Sequence, residues 1–229
     1  MKRCVVVYVK FPKTGEVKTR LGNDLGMEQA CELYRDVAER LITEVYPIGD
    51  AYQLVIFCDP SHAIEDYQNW LGHPFTFHHQ VGDHLGLRLQ NTVKQMIEDG
   101  FDKIIIVGSD CLGFDEETLS TWFSHLDQRD LLLGPTADGG YYLIGMSRNH
   151  PGVFHNIPWS TDGVMTATLN RIEDLGLSYW MLEERFDLDT LEDLTAFRES
   201  LPENHYLAHK IDRLVLERLA ALKGNDDLE

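Results

Sequence analysis

The stretch that decides the fold is Lys103-Ile104-Ile105-Ile106-Val107, followed by Gly108-Ser109-Asp110. The run from 104 to 107 is apolar without alternation, which predicts a strand buried on both faces, as in a parallel sheet. Ligands of open α/β sheets bind beyond the carboxyl ends of the strands. Asp110 is therefore predicted to lie at the ligand-binding edge.

Six further strands are predicted from β-branched and apolar runs at 4–9, 54–58, 75–79, 131–133, 141–146 and 179–182. Helical spacing of apolar residues predicts helices at 30–45, 85–97, 115–126, 164–175, 191–198 and 206–222. Strands and helices alternate with short connections, so we expect an α/β domain with a mostly parallel central sheet and helices on both faces. The Asp138-Gly139-Gly140 turn predicts that 141–146 is locally antiparallel.

Length and charge narrow the function classes. The 229 residues suffice for one core, and we expect a single domain over 1–223 with a frayed tail at 224–229. The formal net charge of −18 disfavours nucleic acid and anionic membranes as partners. No apolar stretch approaches the roughly 20 residues of a membrane span. The four cysteines are scattered, which predicts free thiols and a cytoplasmic setting.

A basic segment follows the first predicted strand. Residues 1–20 hold six bases and one acid, in a chain that is otherwise acidic. The bases are Lys2, Arg3, Lys10, Lys13, Lys18 and Arg20. Clustered cations beside Gly15 suit a phosphate or diphosphate, although a solvated basic loop has the same composition. The Walker A pattern is absent.

Carboxylates follow other strands. Asp110 can hold a divalent cation, or it can simply cap the next turn. Asp138 lies either at the same cleft or in a plain hairpin turn. Asp189 is either a ligand or a helix cap, and Arg88 opens a helix whose N-terminus is a candidate anion site. No zinc-type histidine spacing is present.

These segments occur in an order that resembles a known family. They are Lys10-x-Pro12-x-x-Gly15-x-Val17-Lys18-Thr19-Arg20-Leu21, Leu85-Gly86-x-Arg88, Gly108-Ser109-Asp110-Cys111, Gly134-Pro135, Asp138-Gly139-Gly140-Tyr141-Tyr142-Leu143, Pro158-Trp159-Ser160-Thr161 and Asp187-Leu188-Asp189-Thr190-x-Glu192-Asp193-Leu194. The pattern is similar to bacterial glycosyltransferase-A-like proteins long classed as a domain of unknown function, some of which are assigned to arsenosugar biosynthesis. The resemblance implies the Rossmann-like nucleotide-diphospho-sugar transferase fold.

With this fold, we expect the following roles for the candidate residues. A nucleotide diphosphate would be bound by Lys10, Gly15, Lys18, Thr19, Arg20 and Arg88. Mg²⁺ or Mn²⁺ would be held by Asp110 with Asp187 or Asp189. Asp138, with Asp110, would be catalytic, and an acceptor pocket would be shaped by Tyr141, Trp159, Ser160 and Thr161.

The expected function is therefore a metal-dependent glycosyltransferase that acts on a nucleotide-diphospho-sugar and a small-molecule acceptor, as a monomer or homodimer. Two alternatives stay open. A nucleotidyltransferase would use the same basic loop and metal but release pyrophosphate, and a non-catalytic domain would bind nucleotide without turnover.

Overall fold

The structure is a computed structural model that describes residues 1–72 and 74–226. The strands are β1 Arg3–Val9, β2 Gln53–Cys58, β3 Thr76–His79, β4 Lys103–Gly108, β5 Leu131–Pro135, β6 Tyr141–Met146 and β7 Tyr179–Met181. The helices are α1 Thr19–Leu25, α2 Met27–Glu44, α3 Ile64–Leu71, α4 Leu85–Glu98, α5 Glu116–His125, α6 Val164–Asp174, α7 Leu191–Ser200 and α8 Tyr206–Asp226, with a 3₁₀ turn at Pro151–Phe154.

The chain forms two compact units. The first comprises residues 1–11 and 39–185, and the second comprises residues 12–38 and the chain from 186 onward. Residues 224–226 of the expected frayed tail belong to α8, and 227–229 lie outside the described residues. Among the described residues, every helix falls short of the length and apolarity that a bilayer crossing requires.

The first unit contains the sheet, with strand order β3-β2-β1-β4-β6-β5-β7. β1 pairs in parallel with both β2 and β4, while β6 runs antiparallel between β4 and β5. The antiparallel placement confirms the prediction from the Asp138-Gly139-Gly140 turn. The side chains of β4 from Lys103 to Val107 are all buried, as its uninterrupted apolar run predicts.

Helices cover both faces of this sheet, as the sequence predicts. On one face, Leu89, Val93 and Met96 of α4 share a buried apolar cluster with alternate residues of the strands. On the other face, Leu126 at the end of α5 packs over Gly145, where an added Cβ would lie 3.1 Å from the leucine methyl. Pleating sends successive side chains to opposite faces, so both layers draw on the same strands.

The strand order creates a switch point at β1. The chain goes from β1 outward to β2 and β3, and then returns to place β4 on the other side of β1. The loops at the carboxyl ends of β1 and β4 therefore diverge and leave a crevice, the usual ligand position in such sheets. Tyr8 lies opposite Gly108 in the parallel register, so Lys10 and Asp110 each lie two residues beyond a matched pair.

The second unit is helical. α1, α7 and α8 contact one another around buried side chains that include Leu21, Leu194, Phe197 and Leu207. An ion pair also stabilises this unit: Lys210 Nζ lies 2.7 Å from Asp36 Oδ2.

Helix α1 corrects the sequence prediction, which treated the basic segment as a loop through Arg20. The helix begins at Thr19, so Thr19 and Arg20 are helical, whereas Lys18 is the last residue before the helix. Lys18 adopts the left-handed conformation, with φ of 48°, and its side chain makes no capping hydrogen bond. The usual Ser, Thr, Asp or Asn signal of a helix start is therefore absent.

Candidate active site

Just beyond the carboxyl ends of β1 and β4, the chain carries one cation and one carboxylate in matched positions. Lys10 is exposed, Ser109 is buried and Asp110 is half-buried. A Cβ at Gly108 would lie 2.8 Å from Asp110 Oδ1, so the glycine lets this carboxylate fold back over the end of β4. The structure thus places Asp110 just beyond the carboxyl end of β4, and its role in ligand binding stays a prediction.

Arg88 has partners that the sequence prediction did not include. Its Nη1 donates to Asp59 Oδ2 at 2.8 Å and to the Gln80 side-chain oxygen at 3.3 Å, and its Nε donates to the Gly82 carbonyl at 3.0 Å. We expected Arg88 to face a phosphate. In the structure, two of these contacts reach the loop that follows β3 and the third reaches Asp59 after β2, and the phosphate role of Arg88 stays a prediction.

Asp59 is the carboxylate that the sequence analysis missed. It follows β2, and its backbone N–H donates to the Val9 carbonyl at the end of β1. Burial alone would raise its pKa, but hydrogen bonds from Ser61 and the charge and hydrogen bond of Arg88 outweigh burial and lower the pKa below its ordinary value of 3.8. The rule that singled out Asp110, a polar residue after a parallel strand, would also have found Asp59.

Asp138 organises the turn between β5 and β6. Its Oδ1 accepts hydrogen bonds from the Thr136 hydroxyl at 2.6 Å and from the Gly140 N–H at 3.0 Å. The carbonyl of Gly139 accepts from the Met165 N–H at 2.8 Å, which ties the turn to α6. The carboxylate is exposed, so the turn both holds Asp138 and presents it to solvent.

The expected acceptor residues are brought together in part. The ring centroids of Tyr141 and Trp159 lie 6.3 Å apart in an edge-to-face arrangement. Burial raises the pKa of the Tyr141 hydroxyl well above its ordinary value, and the nearby Tyr8 adds a smaller effect in the same direction. Thr161 Oγ1 donates to the Pro158 carbonyl at 2.8 Å, and Ser160 has a φ of 66°. Ser160 and Thr161 thus shape a tight turn after Trp159.

A neighbouring glycine makes room for Trp159. A Cβ added to Gly86, at the start of α4, would lie 2.3 Å from the indole Nε1. The glycine of the Leu85-Gly86-x-Arg88 motif is therefore explained by packing of the indole against the helix.

The second unit carries its own charged cluster. Lys18 Nζ donates to Asp189 Oδ1 at 2.8 Å, and Arg20 Nη2 lies 3.5 Å from Asp189 Oδ2. The side chain of Lys18 is 8% exposed and that of Arg20 is 74% exposed, so the two cations differ greatly in desolvation. Asp187 and Asp189 can offer carboxylate oxygens within 4.8 Å of one another, a separation that one cation can bridge.

Local geometry in this unit identifies one helix cap and explains one glycine. Thr190, not Asp189, is the N-cap of α7: its Oγ1 accepts from the Asp193 N–H, and the Asp193 carboxylate accepts from the Thr190 N–H in return. Gly15 lies in the tight turn in which the Glu16 N–H donates to the Lys13 carbonyl at 2.9 Å. Its φ of 81° requires glycine there irrespective of any ligand.

Comparison with known families and structures gives consistent matches. Residues 46–161 match the family described as "Uncharacterized protein conserved in bacteria (DUF2064)". The crystal structure of a provisionally assigned nucleotide-diphospho-sugar transferase from Desulfovibrio desulfuricans G20 is 30% identical, with a TM-score of 0.87. The match covers 95% of this chain and 99% of that chain. No curated protein matches the chain.

More distant structures share the fold alone. CMP:2-keto-3-deoxy-manno-octonic acid synthetase complexed with CTP is 12% identical, with a TM-score of 0.51 and coverage of 86% of this chain and 96% of that chain. Rv0371c from Mycobacterium tuberculosis H37Rv, in complex with manganese, is 15% identical, with a TM-score of 0.51 and coverage of 88% and 100%. Together the comparisons confirm the expected family resemblance and fold, and they support a nucleotide-using transferase.

Proposed function

The chain belongs to the DUF2064 family, and we propose that it transfers a glycosyl group from a nucleotide-diphospho-sugar to a small-molecule acceptor with the help of a divalent cation. One observation carries the proposal: Lys10 and Asp110 follow adjacent parallel strands, in register, at the switch point of the sheet. A cation and a carboxylate in this position suit a diphosphate together with its metal ion. The D. desulfuricans relative supports the choice of donor.

The diphosphate would be neutralised by Lys10, Lys18 and Arg20. In the structure Lys18 and Arg20 both face the carboxylate of Asp189, so they are already arranged around an anionic group. A phosphate oxygen accepts the same charge-assisted hydrogen bonds as a carboxylate oxygen. Arg88, which is ion-paired with Asp59, would add a further cation by exchanging that carboxylate for the diphosphate.

The cation would be held by carboxylates from Asp110, Asp187 and Asp189. The oxygens that Asp187 and Asp189 can bring within 4.8 Å of each other fit a hard cation, because Mg²⁺ and Mn²⁺ prefer oxygen ligands. When bound, such an ion stabilises negative charge on the leaving phosphate. Rv0371c, which shares this fold, has been solved in complex with manganese, which supports the choice of cation.

The acceptor would meet Asp138 and the aromatic pair Tyr141 and Trp159. Asp138 presents an exposed carboxylate from a turn that is held by hydrogen bonds, which suits it to orient or deprotonate an acceptor hydroxyl. The edge-to-face rings give a rigid apolar wall against which a small acceptor can pack.

The product distinguishes this function from its alternatives. Purified protein is incubated with Mn²⁺, a panel of nucleotide-sugars or nucleoside triphosphates, and small-molecule acceptors, after a thermal-shift screen selects the nucleotides that bind. Release of nucleoside diphosphate is expected. Release of pyrophosphate from a triphosphate would instead establish a nucleotidyltransferase. Binding without either product would establish a non-catalytic nucleotide-binding protein.

A further inference from the structure

The loop that carries Asp110 is held by more than its own strand. After β4, the side chains of Cys111, Leu112 and Phe114 are buried, while Gly113 is exposed with a φ of 87°. The apolar anchors fix the loop on its inner side. Its peptide groups at 112–114 are held by two charged side chains from elsewhere in the first unit.

Arg185 holds the carbonyl groups. Its guanidinium donates to the carbonyl of Leu112 through Nη1 and to that of Gly113 through Nη2, the latter at 3.3 Å. The same group lies 4.6 Å from the ring centroid of Phe114 and 5.6 Å from that of Tyr142, and the two rings stack on each other. A planar, forked donor over an aromatic face is a combination that lysine does not reproduce.

Glu44 holds the N–H groups of the same peptides. Its Oε2 accepts from the Gly113 N–H at 2.9 Å and from the Phe114 N–H at 3.4 Å, and Arg40 Nε donates to its Oε1 at 2.8 Å. Each of these bonds to a charged group is stronger than a bond between neutral groups. The segment 112–114 is thus clamped through both its donors and its acceptors.

The backbone of Arg185 reaches the other candidate catalytic loop. Its N–H donates to the Pro135 carbonyl at 3.0 Å, and it forms a parallel bridge with Thr136. The Thr136 hydroxyl in turn donates to Asp138. One residue therefore contacts the loop of Asp110 through its side chain and the turn of Asp138 through its main chain.

We propose that Arg185 is a positioning residue that sets the loop of Asp110 relative to the turn of Asp138, with Glu44 as its counterpart on the N–H side. The expected effect of Arg185 on transfer rests on the proposed function, whereas its expected effect on the segment 112–114 does not. Removing the guanidinium frees the carbonyls of Leu112 and Gly113, while the main-chain hydrogen bond to Pro135 remains. Only the loop of Asp110 should therefore become more mobile.

The test compares Arg185→Gln and Arg185→Lys with Arg171→Gln. Arg171 is a matched control, because its guanidinium also donates twice to a backbone carbonyl, that of Gly152, in the same unit. Amide hydrogen exchange is measured over 109–114 and 136–140, together with the affinity for Mn²⁺ alone and the global stability. Where transfer is detected, kcat and KM for the donor are measured separately.

We expect Arg185→Gln to speed exchange at 112–114 about tenfold and to weaken Mn²⁺ binding about tenfold, with 136–140 unchanged. In transfer, kcat should fall about tenfold while KM for the donor stays within twofold, and Arg185→Lys should recover part of the loss. Arg171→Gln should change none of these quantities. Unchanged exchange at 112–114, or a kcat equal to that of Arg171→Gln, would overturn the proposal. Absence of transfer by the wild type would instead reject the proposed function, and exchange and Mn²⁺ affinity would still decide the role of Arg185.

Discussion

The loops after β1 and β4 both carry candidate ligand residues, but they are built in opposite ways. The loop after β4 is anchored by the buried Cys111, Leu112 and Phe114, and Asp110 is fixed before any ligand arrives. The segment after β1 is mostly exposed, and its last cation, Lys18, is held by an ion pair with Asp189. The carboxylate is thus preorganised by packing, whereas the cations are arranged by charge and must exchange partners to bind phosphate.

Asp110→Asn tests the loop after β4 and should have the largest effect of the variants proposed here. If the preorganised carboxylate holds the metal ion, nucleotide binding should lose its Mn²⁺ dependence and transfer should fall about a hundredfold or more, because a bound ion supplies several kcal/mol of charge stabilisation. Calorimetric titration of nucleotide with Mn²⁺ and with chelator checks both proteins, and Asp174→Asn, on an exposed part of α6, is the control.

Asp187→Asn extends the same measurement. If one ion is shared, the losses of Mn²⁺ affinity in the two single variants should not add up in the double variant with Asp110→Asn. Equal nucleotide affinity of the wild type in Mn²⁺ and in chelator would contradict the metal role of Asp110.

Lys18→Ala tests the other loop. Loss of a buried cation that meets the donor should weaken nucleotide binding about tenfold, since hydrogen bonds to charged groups contribute roughly 1.5–3 kcal/mol. Lys94→Ala is the matched control, because its side chain is 62% exposed and only pairs with Glu98 along α4. Affinities measured by calorimetry should be unchanged in the control. The same affinity in Lys18→Ala would remove this loop from the site.

Gly86→Ala tests whether packing against α4 also positions Trp159, which forms the proposed acceptor wall with Tyr141. The added Cβ would meet the Trp159 indole at 2.3 Å, so the ring must move at a cost of about 1–3 kcal/mol. We expect altered Trp fluorescence and a raised KM for the acceptor, with KM for the donor unchanged. Gly163→Ala is the control, because its Cβ would have ordinary contacts at 3.5 Å. An unchanged acceptor KM would exclude Trp159 from the acceptor wall.

Asp59→Asn should have the smallest effect, and one that depends on pH. The pKa of Asp59 is lowered in the folded protein, so its ionised form stabilises the fold above the unfolded value of about 3.8, and this contribution is lost as pH falls through the folded pKa. Urea unfolding should therefore show a stability difference between wild type and variant at pH 7 that closes below pH 4. A difference that persists at pH 2 would assign the effect to packing.

Local patterns were sufficient for most of the fold. The prediction for the central strand, 103–107, differs from β4 by one residue, because an unbroken β-branched run has few other stable placements. The antiparallel β6 followed from the glycine turn before it. Helix α1 escaped detection because Lys18 adopts a left-handed conformation without a capping side chain, and no local residue type signals that arrangement.

The sequence alone determined that Asp110 follows a buried strand, that Asp138 sits in a glycine turn, and that cations cluster after the first strand, because burial and turn geometry depend on neighbouring residues. Only the tertiary structure decided which charges meet. Lys18 and Asp189 are 171 positions apart, and Arg185 and Leu112 are 73 apart. Such pairs form when strand order and helix packing bring distant segments together, and no periodicity along the chain encodes that choice of partner.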